Sequence, residues 1–494
     1  MQDSVISPAR RLAFEALLQI EAGKAHSDDL LNSEKIEKLD PRDRNLATEL
    51  LCGVLRWKGR LDHVLSQASS RPWESIDGAV QCVLRIGLYQ MWHMDRVPDY
   101  AAVSSAVETV RRHGPRGSDG FVNAILRRMS RERPWTRSDF VSRLPAWVQV
   151  SLPEWLWKRW SARYGDDRAA EYALALNRPP QASFRLLAPG LQGARTGWTA
   201  SGIVPGAFVA EAQVRDLPAD ALLMDEASQL VPFLIGARQG WRVWDACAAP
   251  GGKTEILREL VSPGGYVVSG DSSIRRILLL KHRLGGTGSL ADMIVVADAG
   301  ARPPFRTQFD AVLVDAPCSG LGTLRRNPEI KWRLREDLLA HFHRRQSEIL
   351  HSACQVVRPG GRILYATCST EPEENETVVA GFLHRHTDFG RIRPEGPAGI
   401  GAWVGADGFV RTFPSVRAWD GFFAALLVRQ SSDVGSPSGS RPSHDSQGSF
   451  PPGPDRRPDA GSRGVRLALL HGVGPCVTLA AVKCGQNWTW NGQS

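Results

Sequence analysis

No C-x-x-C pair occurs anywhere in the 494 residues. The eight cysteines are scattered singly, which suits a reducing cytoplasm and excludes both a disulfide framework and the usual zinc-ligand spacing, so no metal is predicted. Long apolar runs are missing as well. The tract LALLHGVGPCVTLAAV is broken by His471, Gly472, Gly474 and Pro475, and it falls short of the ~18 uninterrupted apolar residues of a membrane span. The stretch MQDSVISPARR lacks a basic segment followed by an apolar run and a small-residue cleavage site, so export is not expected. A last absence is a single glycine. The run DACAAPGGKT ends like a phosphate-binding loop, but G-x-x-x-x-G-K-[ST] requires glycine at 247, where Cys247 stands. That excludes a nucleotide-hydrolysing P-loop.

What is present describes a globular chain, with 42% hydrophobic and 23% charged residues, long enough for two or three domains. A net charge of +9 points to an anionic partner, nucleic acid foremost. Residues 1–133 read as an all-helical unit, with Ser7 as an N-cap, Pro8 at the first helical position and Gly23 as a stop. Segments such as RNLATELLCGVLRW and FVNAILRRM repeat apolar residues at helical spacing, and most of these side chains are core. Residues 134–235 form a mixed linking region that contains LPEWLWKRW. Its Trp155, Trp157 and Trp160 with Lys158 and Arg159 either stack bases and hold phosphates or pack as an amphipathic helix.

From 236 to 430 the rhythm becomes β-rich runs (WRVWDA, YVVSGD, MIVVAD, AVLVDA, RILYAT, GFFAALLV) alternating with helical ones, the pattern of a doubly wound, mostly parallel α/β sheet. Residues 431–464, with nine Ser, six Pro and six Gly among 34 positions, read as a flexible linker. Residues 465–494 match no pattern.

Ligands of such sheets bind beyond the carboxyl ends of the strands, and an acidic residue ~20 positions past the glycine turn commonly takes a ribose hydroxyl. Asp271 stands at that spacing from Gly251, and Asp245, Asp298 and Asp315 close neighbouring runs at the same edge. A glycine turn ringed by carboxylates repels a polyphosphate and suits an adenosine bearing a positive centre, which favours S-adenosylmethionine over ATP.

Two cysteines follow strand ends on that edge, Cys318 in VDAPCSGLG and Cys368 in LYATCST. Carbon 5 of cytosine is too electron-poor to accept a methyl group until a nucleophile adds at carbon 6, and a thiolate suits that task. Asp315, sharing a proton with ring atom N3, would stabilise the charge that develops. The residues alone do not say which thiol attacks.

DACAAPGGKT, DAPCSGLGTLRRNPEIKW, YATCS and DGFFAA together resemble the successive motifs of the Nop/Sun family of RNA cytosine-5 methyltransferases, over roughly residues 222–430. RNLATELLCGVLRW and FVNAILRR resemble the NusB antitermination-factor domain. The resemblance implies a class I (Rossmann-like) S-adenosylmethionine-dependent methyltransferase with an N-terminal NusB-like domain, acting on 16S rRNA, free or in a partly assembled small subunit, as a cytoplasmic monomer. It implies that Cys247, Ala248, Ala249, Pro250, Gly251, Gly252 and Lys253 line the methionine end of the cofactor. Asp271 would take the ribose, Asp298 would lie by the adenine, and Asp315 would stand where cofactor meets base. It names Cys368 as the nucleophile and Cys318 as the thiol that assists product release.

Arg325, Arg326, Lys331 and Arg333 of LRRNPEIKWR would hold the RNA backbone, unless that stretch is a solvated charged loop. Met224 departs from the family's usual glutamine, and AWDGFF lacks the usual threonine, neither being expected to touch the chemistry. A non-catalytic RNA-binding or antitermination factor with a degenerate methyltransferase domain is the alternative.

Overall fold

A computed structural model describes residues 6–186, 197–210, 221–285, 293–414 and 419–431, with two short strands at 468–470 and 479–481. Most of the serine- and proline-rich linker lies outside the described residues. Among the described residues no helix is long and apolar enough to cross a membrane.

The first helix, Pro8–Glu21, starts where the sequence indicates: Ser7 Oγ accepts from the Arg10 backbone N–H, and Pro8 takes the first position, whose N–H needs no partner. Gly23 follows with φ +70°, a left-handed conformation that glycine adopts without a Cβ clash. The longest helix, Pro41–Ala68, is capped by Asp40, which accepts from the N–H groups of Arg42 and Asp43, each at 2.9 Å. With helices Gly78–His93, Asp99–His113 and Ser118–Glu132 it encloses a core of Phe14, Leu17, Leu50, Val54, Leu88, Val122 and Leu126. Each such buried side chain contributes ~1.5–3 kcal/mol. Helices Pro41–Ala68 and Gly78–His93 approach closely because Gly53 has no side chain; a Cβ there would lie 2.1 Å from the Tyr89 hydroxyl.

The linking region folds as two helices, Glu154–Tyr164 and Asp166–Leu176, followed by an antiparallel sheet. Its strands are β1 (Ser183–Leu186), β2 (Trp198–Ala200), β3 (Ala207–Ala210) and β4 (Ala221–Leu223), in the order β2-β3-β1-β4. Here the amphipathic-helix reading of LPEWLWKRW is the correct one. Trp157 and Trp160 are buried, Trp160 Nε1 donates to Glu371 at 2.9 Å, and Arg159 pairs with Glu336, Glu371 and Glu373. Those side chains are engaged within the protein and offer no base-stacking platform.

The large sheet contains β5 (Arg242–Asp245), β6 (Tyr266–Asp271), β7 (Met293–Val296), β8 (Phe309–Asp315), β9 (Val357–Thr367), β10 (Phe389–Ile392) and β12 (Phe423–Arg429), with β11 (Val410–Arg411) paired on β12. Their order is β10-β12-β9-β8-β5-β6-β7, and the five central strands are parallel. Strands covered on both faces by helices bury successive residues, which explains the near-continuous Val, Ile and Leu runs. Trp244 and Val312 pack on one side, Val243 and Leu313 on the other. At the β7 edge, Leu479–Ala481 pairs in parallel and Ala468–Leu470 joins it antiparallel, so part of the tail that matched no pattern continues this sheet. Parallel strands bring their carboxyl ends to one edge. Along that edge stand Cys368, Asp315, Asp245, Asp271 and Asp298, each at or just past the end of β9, β8, β5, β6 and β7 in turn.

Candidate active site

Beyond this edge lies a cavity of about 600 Å³, lined among others by Cys247, Lys253, Asp271, Asp315, Cys318 and Cys368. The loop after β5 forms its floor. Ala248 N–H donates to Gly270 O at 2.8 Å, the Ala249–Pro250 peptide is cis, and Gly251 has φ +106° before helix Gly252–Val261 begins. Cys247 and Ala249 face the cavity. Ala248, Pro250, Gly252 and Lys253 line an adjoining recess of about 120 Å³, which Met224 also lines. Met224 therefore does reach the loop: a Cβ on Gly252 would lie 2.8 Å from its sulfur.

Asp245 is buried and accepts from Thr254 Oγ1 at 2.7 Å, and among the described residues its Oδ1 has no partner of hydrogen-bond geometry. Burial pushes its carboxyl up to about 7. Asp271 is fixed by the Ser273 N–H at 2.9 Å and by Arg276 at 3.1 Å. Asp315 accepts from Lys253 Nζ at 2.7 Å; burial opposes the Lys253 ammonium, but the carboxylate outweighs it and the amine's pKa rises. Asp298 pairs with Arg345 at the exposed rim, so that its neighbour Ala299 lines the cavity instead.

These features fit an adenosine with a positive centre. Two carboxylates, Asp271 and Asp315, line the cavity and a third, Asp245, lines the adjoining recess, while Arg276 and Lys253 add cations to the cavity wall.

Cys318 and Cys368 meet, Sγ to Sγ, at 3.1 Å. The contact with Cys368, and then burial, hold the Cys318 thiol well above its ordinary pKa, so it stays protonated and can donate to its partner sulfur. Strand register is the cause: β8 and β9 are adjacent and parallel, with Asp315 opposite Ala366. The loops that leave them are consequently neighbours.

Sequence reasoning missed His341, Phe342, Arg345 and Ile349, which bring helix Leu338–Cys354 to the cavity wall, and Arg276 opposite them. The four on that helix recur at spacings of three and four residues, a signal present in LAHFHRRQSEIL. Glu374, buried behind both cysteines, was also missed. Among the described residues His351, Cys354 and His386 bring potential metal-ligand atoms within 4.8 Å of one another, outside the cavity lining, a grouping that sequence spacing did not disclose.

The basic stretch requires a correction. Lys331 is fully buried, and its ammonium donates to Arg56 O at 2.9 Å and Asn177 Oδ1 at 2.8 Å. Arg325 is buried and donates to Pro179 O; Arg326 bridges Asp225 and Asp420; Arg333 donates to Ala25 O. With Glu329 accepting from Ser27, and Trp332 Nε1 donating to Leu55 O at 2.6 Å, this segment fastens the helical domain to the catalytic one. Its charges satisfy carbonyls and carboxylates inside the molecule, because a buried cation must find partners there. Lys331 and Arg325 are thereby withdrawn from any phosphate-binding surface, whereas Arg333 remains exposed.

The chain matches two family models, "16S rRNA methyltransferase RsmB/F" over residues 233–428 and the NusB family over residues 7–131. It is 34% identical over 446 residues to the probable ribosomal RNA small subunit methyltransferase B of Bacillus subtilis, covering 85% of this chain and 98% of that protein. It is 33% identical over 427 residues to the ribosomal RNA small subunit methyltransferase B of Pseudomonas putida, covering 81% and 96%. The crystal structure of PH0851 superposes with a TM-score of 0.72 at 25% identity, over 86% of this chain and all of that one. With the strand-end carboxylates and paired thiols in place, these likenesses establish that the chain is an S-adenosylmethionine-dependent rRNA methyltransferase of the RsmB/F family, preceded by a NusB-family helical domain.

Proposed function

We propose that the chain methylates carbon 5 of a cytosine in 16S rRNA, free or in a partly assembled small subunit, as a cytoplasmic monomer and through a covalent bond from Cys368 to carbon 6. The observation that carries this reading is the pair of thiols 3.1 Å apart in a cavity that also holds the Lys253–Asp315 pair. Attack by the Cys368 thiolate forms the C6–S bond and moves the C5–C6 π pair onto carbon 5 and the ring. The Lys253 ammonium passes a proton through the Asp315 carboxylate to N3 and so neutralises the charge. Bound S-adenosylmethionine supplies an electrophilic methyl group on a sulfonium, which carbon 5 takes. A solvent base then takes the C5 proton, the C–H electron pair re-forms the C5–C6 double bond as the C6–S pair goes back to Cys368, and N3 returns its proton through Asp315 to Lys253. Cys318, in contact with the departing sulfur, assists this elimination. Cys368 is assigned as nucleophile on the family resemblance of its T-C-S motif; the sulfur–sulfur contact places the two thiols together but fits either as the attacking one.

The test is transfer of labelled methyl to unmodified 16S rRNA and to small subunits, followed by nucleoside analysis and denaturing gels. The expected product is 5-methylcytidine, with Cys318→Ala accumulating a protein–RNA adduct and Cys368→Ala forming none. Exchanged roles would reassign the nucleophile, and absence of any 5-methylcytidine would overturn the reading.

A further inference from the structure

Glu374 does not line the cavity, yet it is fully buried and its carboxylate accepts four hydrogen bonds. Its Oε1 accepts from the Ser319 backbone N–H at 2.8 Å and from Gln346 Nε2 at 3.0 Å; its Oε2 accepts from Ser319 Oγ at 2.5 Å and from Ser369 Oγ. Ser319 directly follows Cys318, and Ser369 directly follows Cys368. One carboxylate thus grips the residue next to each thiol.

The grip is itself held in place. Tyr365 Oη donates to the Glu374 carbonyl at 2.5 Å, Asn375 Nδ2 donates to Ser369 O at 2.9 Å, and Gln346 also donates to Pro317 O at 3.1 Å. Cys318 is therefore tied on both sides, through Pro317 and Ser319, to the side chains that also hold Ser369. Among the described residues no Lys or Arg pairs with Glu374, and burial raises its carboxyl pKa against the pull of its four donors. A carboxyl group buried without a counter-ion carries a desolvation cost that an apolar side chain would not, so stability alone gives no reason for it.

We propose that Glu374 is a positioning residue that sets the separation and mutual orientation of Cys318 and Cys368 through Ser319 and Ser369. The inference rests on the two-cysteine reading above. The proposed elimination needs both sulfurs at one carbon–sulfur bond, and a displacement of ~1 Å in such a constellation costs on the order of 10²-fold in rate.

The experiment uses the full-length protein, its Glu374→Ala and Glu374→Gln variants, and Ser319→Ala with Ser369→Ala as milder changes. Three quantities are measured: kcat and KM on 16S rRNA, S-adenosylmethionine affinity by calorimetry, and the rate at which diamide closes a Cys318–Cys368 disulfide. In that last reaction the two thiols give up two electrons and two protons, and the diazo oxidant becomes the hydrazine. Glu374→Ala is expected to lower kcat by ~10²-fold and to slow disulfide closure, with KM and cofactor affinity unchanged. Glu374→Gln should recover part of both rates, because its amide oxygen still accepts from Ser319 N–H and Gln346. The double serine variant should slow closure no further than Glu374→Ala does.

Native disulfide closure and native kcat in Glu374→Ala would overturn the proposal. So would a fall in cofactor affinity and melting temperature matching the fall in kcat, the signature of a merely structural role. Should Glu374→Ala not fold, the serine variants decide by the same readings. If the native protein forms no 5-methylcytidine the covalent reading fails, while disulfide closure still reports whether Glu374 places the thiols.

Discussion

Two charged or reactive stretches, thirteen residues apart at their nearest marks, behave oppositely: Cys318 opens onto the cavity, whereas Lys331 is buried between domains. Cys318 leaves the carboxyl end of β8, and parallel register fixes where that end points. Lys331 lies in a loop and a one-turn helix, Ile330–Arg333, with no ladder to orient it. Its partners come from elsewhere in the chain, Arg56 and Asn177. Position on a regular element converts a motif into geometry, while a motif in a loop acquires its role only from what packs against it.

That contrast breaks most sharply at Cys368. Cys368→Ala is expected to lose on the order of 10⁴-fold or more in methyl transfer, since removing a nucleophile disables the catalytic unit; steady-state kinetics with labelled cofactor measures it. Activity close to native would remove the strand-end cysteine from the chemistry. Next in size, Asp315→Asn keeps the shape but loses the charge facing Lys253, and should cost ~10²–10³-fold in kcat. A change confined to KM would mean that Asp315 only binds.

Lys331→Ala tests the other side. It removes the donor to Asn177 Oδ1 and the second donor to Arg56 O, and empties a buried site, so unfolding stability should fall by ~1–3 kcal/mol while the salt dependence of RNA binding stays the same. A phosphate contact would behave in reverse, with stability unchanged and the salt slope reduced by about one. Urea titration and salt-dependent RNA binding separate the two.

The effect smallest at any one pH step concerns Asp245, whose carboxyl burial raises from 3.8 to about 7. The folded state holds this proton where the unfolded chain has lost it, so the stability it contributes is complete below 3.8 and is lost as pH rises to about 7. Asp245→Asn should flatten stability across that window by about 1 kcal/mol per pH unit. Urea denaturation followed against pH checks this, and a slope unchanged from native would place the proton elsewhere.

Much of the site was legible because it lies on a sheet. Alternating apolar runs located β5 to β9, the residues closing them were therefore neighbours, and an aspartate at each end of β5, β6 and β8 needed no coordinates to be assigned to one edge. Glu374 was not legible, since TCSTEPEEN offers several carboxylates and nothing local says which one turns inward. Arg345 was half legible. Its helical spacing from His341 and Ile349 marks a face, but not that the face walls the cofactor cavity. LPEWLWKRW admitted two readings until Glu371 was found beside Trp160.

The sequence by itself determined the two domain types, the sheet, the glycine turn, the strand-end aspartates and the two thiols, because backbone periodicity and turn chemistry act within a few residues. Only the tertiary structure decided that Cys318 and Cys368 touch, that Glu374 holds the loops carrying both, and that Arg325 and Lys331 of the basic run are buried in an internal fastening. Those relations join residues tens to hundreds of positions apart, where burial and the need to satisfy every enclosed charge select partners that no local pattern specifies.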